Sequence, residues 1–343
     1  MKTPTNFAYY LTQYLSKYLP GQLGASTNTI QSYRDTFTLL LKYLKTSQGI
    51  TPEKLALEDF NKNRVDAFLA WLEENRHCCI STRNQRLSAI QAFFNYLQIE
   101  SPSHLLLCQQ IMAIHIKRAP KPVMNYLTFE GIQAILSAVD TTECSGRRDF
   151  ALLCLLYDTG ARVQEIADCV VSDLRLTEPA TLRLTGKGSK SRIVPILSKT
   201  TVYIKQYIEE NHLNIPSMGS HPLFYNRKKE KLTRAGISYI LGKYVECARK
   251  SAPGLIPDSI SPHSLRHSKA MHLLQSGVNL VYIRDLLGHA DIATTEIYAR
   301  ADSKMKRQAL ENVYKELKPN QTNPSWQEDQ ELLAWLQGLC KSK

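Results

Sequence analysis

The chain has 343 residues, of which 43% are hydrophobic and 22% are charged, a composition typical of globular proteins with room for two domains. Its 43 Lys and Arg residues against 31 Asp and Glu give a formal net charge of +12, which favours a polyanionic partner such as nucleic acid, although a basic enzyme of another kind can carry the same charge. The sequence contains no apolar run of 18 residues and no secretory leader pattern, so we expect neither a membrane-spanning helix nor export.

The first part of the chain, residues 1–117, is predicted to be a helical bundle. Apolar side chains recur at spacings of three and four in segments near 7–19, 29–45, 60–74 and 81–97, as expected for amphipathic helices.

A linker is predicted over residues 118–124, which contain two prolines and two basic residues. Residues 1–118 carry a net charge of +5 and residues 119–343 a net charge of +7. A partner held by both parts therefore explains the charge better than one bound by a single module.

Residues 125–317 are predicted to form an α+β domain, so that the whole chain is mainly α with a small β-hairpin or sheet. Strands near 180–184 and 192–197 flank the sequence GKGSK, and glycines at the turn between apolar runs indicate a hairpin. Helices are predicted near residues 128–139, 147–157, 163–168, 199–211, 233–250, 262–274, 280–287 and 303–317.

The last residues, 318–343, are predicted to be a polar linker followed by a short docking helix. Its stripe of Leu332, Leu333, Trp335, Leu336 and Leu339 is too short to be stable in isolation.

The eight cysteines form no CxxC pair, so we predict a cytoplasmic protein with reduced thiols and no structural disulfide or zinc site.

Three clusters of residues suggest chemistry. In the first, GARVQEI, Arg162 lies where a helix restarts after a glycine, and a helix start with an arginine fork suits an anion. A surface ion pair between Arg162 and Glu165 is the alternative.

In the second cluster, PHSLRH, His263 and Arg266 are three residues apart and share a helix face. This pattern suits an oxyanion or phosphate pocket, or a solvated basic helix start. His263 and His267 also have the spacing of metal ligands, but the sequence lacks the intervening glutamate of a zinc protease.

In the third cluster, LLGHADIATTEIY, Gly288 is predicted to end a helix and Asp291 to cap a new short one. Tyr298 would lie on that separate piece of chain, as a functional residue or as a core aromatic.

Taken in order, these clusters resemble the tyrosine site-specific recombinases of the phage-integrase and Xer type, over nearly the whole chain. The resemblance matches the family's functional positions in GARVQEI, TGKGSKSR, HSLRH and LLGHADIATTEIY to Arg162, Lys187, His263, Arg266, His289 and Tyr298. Glu165 matches an acid beside the first arginine and is expected to orient the pocket.

The resemblance implies cleavage of DNA by Tyr298 as the nucleophile, through a 3′-phosphotyrosine and without metal, ATP or other cofactor. Arg162 and Arg266 would stabilise charge on the phosphate oxygens. The resemblance further assigns His263 as general base, His289 as an extra phosphate donor and Lys187 as general acid.

The implied partner is double-stranded DNA carrying specific recombination sites, gripped by both domains. Candidate contacts are Arg83 and Arg86 on the fourth helix and Lys190 and Arg192 beside the hairpin turn, with a solvated basic face as the alternative. The resemblance also implies a tetramer in the synapse, monomeric when free, with the C-terminal helix passed to the next protomer or packed in cis.

Two other functions stay open at this point: a type IB topoisomerase with the same tyrosine chemistry, and a non-catalytic, sequence-specific DNA-binding regulator. The sequence leaves undecided whether recombination serves integration, excision, transposition or chromosome-dimer resolution.

Overall fold

The computed structural model describes residues 4–120, 124–186, 188, 190–301 and 330–338, and the chain divides into two compact units, Met1–Pro122 and Val123–Lys343. Each unit encloses its own cluster of buried apolar side chains. The predicted fold class, mainly α with a small sheet, is confirmed.

The first unit is helical throughout its described residues. Its α-helices are α1 (Asn6–Gln13), α2 (Thr27–Gln48), α3 (Lys62–Glu74), α4 (Ile80–Glu100) and α5 (Leu105–Met112). The side chains of Thr5, Ser26 and Asn61 each accept a hydrogen bond from a backbone N–H in the first turn of α1, α2 and α3. These caps satisfy donors that a helix start leaves unpaired, which is why the helices begin where they do.

The helix predicted near residues 7–19 continues through Pro20. The chain continues as a wider π-helix over Tyr14–Gln22, with the N–H of Leu23 bonded to the carbonyl of Tyr18. Proline has no N–H to donate, so a segment that shifts its bonds from the fourth to the fifth preceding carbonyl can accommodate it.

Aromatic rings fill the core of the first unit. The Phe93 ring on α4 meets those of Phe7 and Phe37 edge-on, at centroid distances of 5.8 and 5.2 Å. Edge-to-face contacts of this kind add to the free energy of burial.

The second unit combines helices with a three-stranded sheet among its described residues. In chain order its elements are α6 (Phe129–Ser137), α7 (Cys144–Thr159), α8 (Val163–Asp168), β1 (Leu174–Arg175), β2 (Thr181–Thr185), β3 (Ser191–Pro195), α9 (Ser198–Glu210), α10 (Arg234–Ser251), α11 (Pro262–Gln275), α12 (Leu280–Leu287), α13 (Ala293–Ala301) and α14 (Gln330–Gly338). The helix predicted near 303–317 lies outside the described residues.

The sheet is antiparallel with strand order β1-β2-β3, and its central hairpin matches the prediction. Leu182 pairs with Val194 and Leu184 with Arg192, so these four side chains lie on the inner face. The N–H of Gly186 bonds to the carbonyl of Lys190 across the turn.

A small core cluster joins α11, α12 and α13 beside the larger core of the second unit. Its fully buried members are Ala270, Met271, Ile283, Leu287 and Tyr298. This cluster packs α11, α12 and α13 against one another. Within the described chain, no helix combines the length and apolarity needed to cross a bilayer.

Candidate active site

Most of the predicted functional residues converge in one pocket of the second unit. Arg162 stands at the start of α8, His263 and Arg266 lie on the first turns of α11, His289 follows α12, and Tyr298 is on α13. Hydrogen bonds and ring contacts link these elements, as described below. Lys187 lies outside the described residues.

Three arginines are held by the C-terminal end of α12. The last carbonyls there belong to Leu286, Leu287 and Gly288, and each accepts a hydrogen bond from a different guanidinium. The donors, in the same order, are Arg192 at 2.8 Å, Arg266 at 2.8 Å and Arg162 at 3.3 Å. A helix C-terminus leaves its last carbonyls unpaired and carries partial negative charge, so it suits three cations.

Arg266 is the most deeply buried of these cations, with 3% of its surface exposed. A second bond, from Nη1 to the carbonyl of Gly160 at 2.8 Å, fixes the plane of its guanidinium. Burial and the neighbouring Arg162 lower the pKa of Arg266 to about 10, which leaves it charged at neutral pH.

Glycines are required at the two turns that present these carbonyls. Gly160 ends α7 with φ +57°, and a Cβ there would come within 2.9 Å of Leu287. Gly288 ends α12 with φ +65°, and a Cβ there would come within 2.8 Å of Arg192. A residue with a Cβ would therefore be strained at both positions, and the neighbouring side chain would have to move.

Glu165 joins two of the arginines. One carboxylate oxygen accepts from Arg162 Nη1 at 2.8 Å and from Arg192 Nη1 at 3.0 Å, and the other accepts from the Arg162 backbone N–H and Arg192 Nη2, both at 2.8 Å. Burial acts to raise the pKa of Glu165, but the bonds from Arg192 and Arg162 override it and hold the pKa at about 2. The predicted orienting role of Glu165 agrees with this geometry.

Arg192 is turned inward, whereas the sequence predicts a DNA contact. Its side chain is 13% exposed and forms a bidentate pair with Glu165. Strand alternation explains the orientation, because Arg192 shares the inner face with buried Val194 while Ile193 between them is 71% exposed.

We expect Arg192→Met to lower the free energy of unfolding by about 3 kcal/mol, because it leaves the buried Glu165 carboxylate half-paired. Adding Glu165→Gln removes that charge, so the double variant should lose clearly less than the sum of the two single losses. Urea unfolding of the four proteins at neutral pH measures this coupling. If the loss of unfolding free energy in the double variant equals the sum of the two single losses to within about 0.5 kcal/mol, the result would contradict the pairing.

Tyr298 is buried in the pocket, with 1% of its surface exposed. Its hydroxyl oxygen lies 3.1 Å from Nδ1 of His267, and the two ring centroids are 5.7 Å apart. Burial raises the pKa of Tyr298, opposed by the nearby Arg266 and Arg162. The phenol is therefore protonated at neutral pH and needs an acceptor to become a nucleophile.

His289 is oriented by the helix that carries Tyr298. Its Nδ1 lies 2.9 Å from the hydroxyl oxygen of Thr295, which is fully buried, and its ring is nearly parallel to that of Tyr298 at 6.3 Å. Burial, Arg266 and Arg162 lower the pKa of His289 to about 4. The imidazole is therefore neutral at pH 7.

His263 lies at the exposed edge of the pocket. Its ring centroid is 6.4 Å from that of His267, one helical turn further along α11. Among the described residues, the imidazole in contact with the Tyr298 hydroxyl is that of His267, not that of His263. Nor do the described residues contain a group of three His, Cys, Asp or Glu side chains able to hold a metal ion.

The predicted DNA contacts of the first unit are also directed inward. Arg83 is 5% exposed and lies 3.5 Å from Glu73, with a further bond to the carbonyl of His115. Arg86 donates to the carbonyl of Ser32. The geometry favours bundle stabilisation over phosphate contact for both arginines, whereas Lys190 is exposed.

The sequence patterns indicated His267 only as a possible metal ligand and did not indicate Thr295. His267 lies four and seven positions before Met271 and Leu274, so its spacing places it on the face of α11 that packs against α13. Thr295 has no such signal, because its role depends on where the loop after α12 places His289.

The arrangement suits transfer of a phosphoryl group. Fixed guanidinium groups and neutral imidazoles surround a tyrosine hydroxyl that lies within hydrogen-bond distance of an imidazole nitrogen, and these are the parts that attack on a phosphate requires.

Comparisons with known proteins agree with this chemistry. Residues 125–305 match the phage integrase family, and residues 11–101 match the N-terminal SAM-like domain of phage integrases. An integrase/recombinase of Sinorhizobium fredii, y4rC, is 36% identical over 341 residues, covering 99% of this chain and 100% of that protein. The tyrosine recombinase XerD of Listeria innocua is 33% identical over 300 residues, covering 86% of this chain and 94% of that protein.

Solved structures show the same fold. The XerH site-specific recombinase bound to a palindromic difH substrate has a TM-score of 0.65 at 20% identity, covering 87% of this chain and 84% of that one. The Tn1549 transposon integrase in complex with transposon right end DNA has a TM-score of 0.68 at 16% identity, covering 89% and 99%. The predicted resemblance is thereby confirmed: the chain belongs to the phage integrase family of tyrosine recombinases, enzymes that cut and rejoin DNA in site-specific recombination.

Proposed function

We propose that Tyr298 cuts one DNA strand by attacking a backbone phosphate, which leaves the enzyme joined to the 3′ phosphate and frees a 5′ hydroxyl. The observation that carries the proposal is the buried Tyr298 hydroxyl, in contact with His267 and beside Arg266 and Arg162. A second 5′ hydroxyl then displaces the tyrosine. The phosphotyrosyl bond keeps the energy of the broken phosphodiester, so rejoining needs no ATP.

Arg162 and Arg266 are proposed to bind the nonbridging oxygens of that phosphate. Arg266 is fixed by two carbonyls, and Arg162 keeps 37% of its side chain exposed towards a ligand. Charge grows on these oxygens as the tyrosine attacks, and donors already in place stabilise it without reorganisation.

His289 and His263 are proposed to complete the phosphate site. With the Thr295 hydroxyl donating to Nδ1, the neutral His289 ring carries its hydrogen on Nε2 and can donate it to a phosphate oxygen. His263, at the exposed edge beside Arg162, can reach the same ligand. Lys187 stays the predicted general acid for the leaving 5′ oxygen.

The DNA substrate follows from charge as well as from chemistry. A net charge of +12 favours a polyanion, and the structures of the XerH recombinase and the Tn1549 integrase contain DNA. We propose that the partner is duplex DNA with specific recombination sites. The proposed location is the cytoplasm, where that DNA lies. These relatives are recombinases and integrases, which favours recombination over the topoisomerase and regulator alternatives.

A nicked suicide duplex tests the cleavage step. The nick lies close to the cleavage position, so the cut releases a short fragment that carries the 5′ hydroxyl. Without that fragment rejoining fails, and the covalent complex accumulates. We expect a complex that survives denaturant and carries a label placed on the 3′-phosphate side of the cut. A label retained only on the 5′ side would reject the proposed polarity.

We expect binding to weaken steeply with salt, since each neutralised phosphate contributes about 0.9 to the log–log slope. If the protein contacts six or more phosphates, its affinity for DNA should fall by about 10³-fold or more between about 50 and 200 mM salt. Fluorescence anisotropy with a labelled site-containing duplex measures this. An affinity that changes less than about threefold over that range would contradict binding through phosphate contacts.

A tetramer is proposed for the synapse. Complete exchange between two duplexes breaks four strands, and each chain supplies one Tyr298. The helix α14 presents exposed Leu333, Trp335 and Leu336, and we propose that a neighbouring protomer covers them.

A further inference from the structure

We propose that His267 is a catalytic residue that takes the proton from the Tyr298 hydroxyl during strand cleavage. The inference rests on the proposed function, in which Tyr298 is the nucleophile, and it assigns the base to a different histidine from His263, to which the family resemblance assigns that role.

The contact is specific. The Tyr298 oxygen and His267 Nδ1 are 3.1 Å apart, within the range of a hydrogen bond that can carry a proton. Tyr298 is 1% exposed, so a neighbouring protein group is better placed than bulk water to receive the proton.

Neighbouring groups keep His267 able to accept a proton. Those that face it are Tyr298 from α13, His263 and Arg266 from its own helix, and His289 from the loop after α12. Burial, His263 and Arg266 lower the pKa of His267. The ring is therefore neutral at pH 7, and with its hydrogen on Nε2 it offers the Nδ1 lone pair to the phenol.

The other two imidazoles are placed for different tasks. Nδ1 of His289 is engaged by Thr295, and its ring stacks parallel to that of Tyr298 rather than meeting the hydroxyl. His263 lies at the exposed edge, where a phosphate would enter. Of the three imidazoles, that of His267 is the one within hydrogen-bond distance of the Tyr298 hydroxyl among the described residues.

The proton moves from the Tyr298 oxygen to Nδ1 of His267, that oxygen bonds to phosphorus, and the bond from phosphorus to the 5′ oxygen breaks. The 5′ oxygen keeps the electron pair and is protonated by the general acid, proposed to be Lys187. In the rejoining reaction, imidazolium His267 returns its proton to the departing phenolate.

Two variants of nearly equal size separate proton transfer from positioning. His267→Asn places an amide near the position of Nδ1 but cannot take up a proton, whereas the carboxylate of His267→Asp can. Single-turnover formation of the covalent complex on the suicide duplex should fall by about 10²–10⁴-fold in the asparagine variant. The aspartate variant should be faster than the asparagine variant by about tenfold or more.

A duplex with sulfur in place of the bridging 5′ oxygen identifies the end of the reaction on which His267 acts. Thiolate leaves without protonation, so this substrate relieves loss of a general acid but not loss of a base. We expect the His267→Asn defect to persist on it. Recovery to within about threefold of the wild-type rate would assign His267 to the leaving group and overturn the proposal.

A matched control lies on the same helix. His272 Nδ1 contacts the hydroxyl of a different tyrosine, Tyr157, at 2.8 Å, and His272→Asn should leave the cleavage rate unchanged. Equal rates in the two His267 variants would show a structural role and overturn the proposal.

If both His267 variants unfold, the pH dependence of the wild-type cleavage rate tests the proposal instead. The proposal requires the cleavage rate to fall as His267 becomes protonated, below its ordinary pKa of about 6.5. A rate that stays constant from about pH 6.5 to pH 4 would overturn it. Full-rate covalent capture by His267→Asn would end this proposal alone, whereas no capture by the wild-type protein would end the proposed function.

Discussion

Replacing Tyr298 by phenylalanine should abolish covalent attachment to DNA, a loss on the order of 10⁶-fold, as found when an enzyme loses its nucleophile. The change removes the attacking oxygen and leaves the ring in its buried cluster with Met271, Ile283 and Leu287. The lost hydrogen bond to His267 should cost about 1 kcal/mol of stability, too little to unfold the protein. Binding of an uncut site should be unchanged.

Tyr207→Phe is the matched control. Tyr207 is also 1% exposed, and its hydroxyl donates to the carbonyl of Leu223 at 3.0 Å, away from the pocket. The control variant loses a buried hydroxyl and a hydrogen bond but should form the covalent complex at the wild-type rate. Suicide-duplex capture of both variants measures the difference, and attachment that persists in Tyr298→Phe would remove Tyr298 as the nucleophile.

Replacing Arg266 by lysine should slow cleavage by about 10²–10³-fold at saturating DNA. Lysine keeps the positive charge but has a single donor nitrogen. It cannot bond to the carbonyls of Gly160 and Leu287 and also present a planar fork to a phosphate. Since the charge is retained, the affinity for uncut DNA should change little.

Arg249→Lys controls for loss of an arginine that bonds to two carbonyls. Arg249 Nη2 donates to the carbonyls of Pro257 and Asp258, outside the pocket. Its replacement should leave the single-turnover rate within about threefold of wild type. If Arg266→Lys cleaves as fast as Arg249→Lys, the Arg266 fork does not stabilise the transition state.

Local patterns predicted much of this structure because the deciding interactions are close in sequence. Gly160 and Gly288 end helices in the left-handed conformation, as a glycine after an amphipathic stretch indicates. Asp291 accepts from the N–H of Ala293 at the start of α13, as predicted for a cap. The two-residue strand β1 was missed because it is too short to show alternation.

The directions of the arginines depend on partners far away in the chain, yet periodicity contained part of the signal. Arg83 lies four and seven residues before Leu87 and Ile90, on the buried face of α4. Arg192 alternates with buried Val194 and Ile196 in the same way. Charge suggested DNA contacts for these residues, but burial beside Glu73 and Glu165 gives both arginines partners within the protein.

The grouping of three guanidinium groups at the end of α12 could not be predicted from sequence. Nothing in the residues near Leu286 indicates that its carbonyl and the next two each accept from an arginine of α8, β3 or α11. Tertiary packing creates that arrangement. The motifs indicate the residues that are proposed to react, and the fold supplies the carbonyl oxygens that orient the arginines.

Peptide mapping of the covalent complex tests the central claim most directly. After capture on the suicide duplex and digestion of protein and DNA, mass spectrometry should find a nucleotide joined through its 3′ phosphate to the peptide containing Tyr298. A phosphonucleotide on any other residue, or one joined through a 5′ phosphate, would contradict the account.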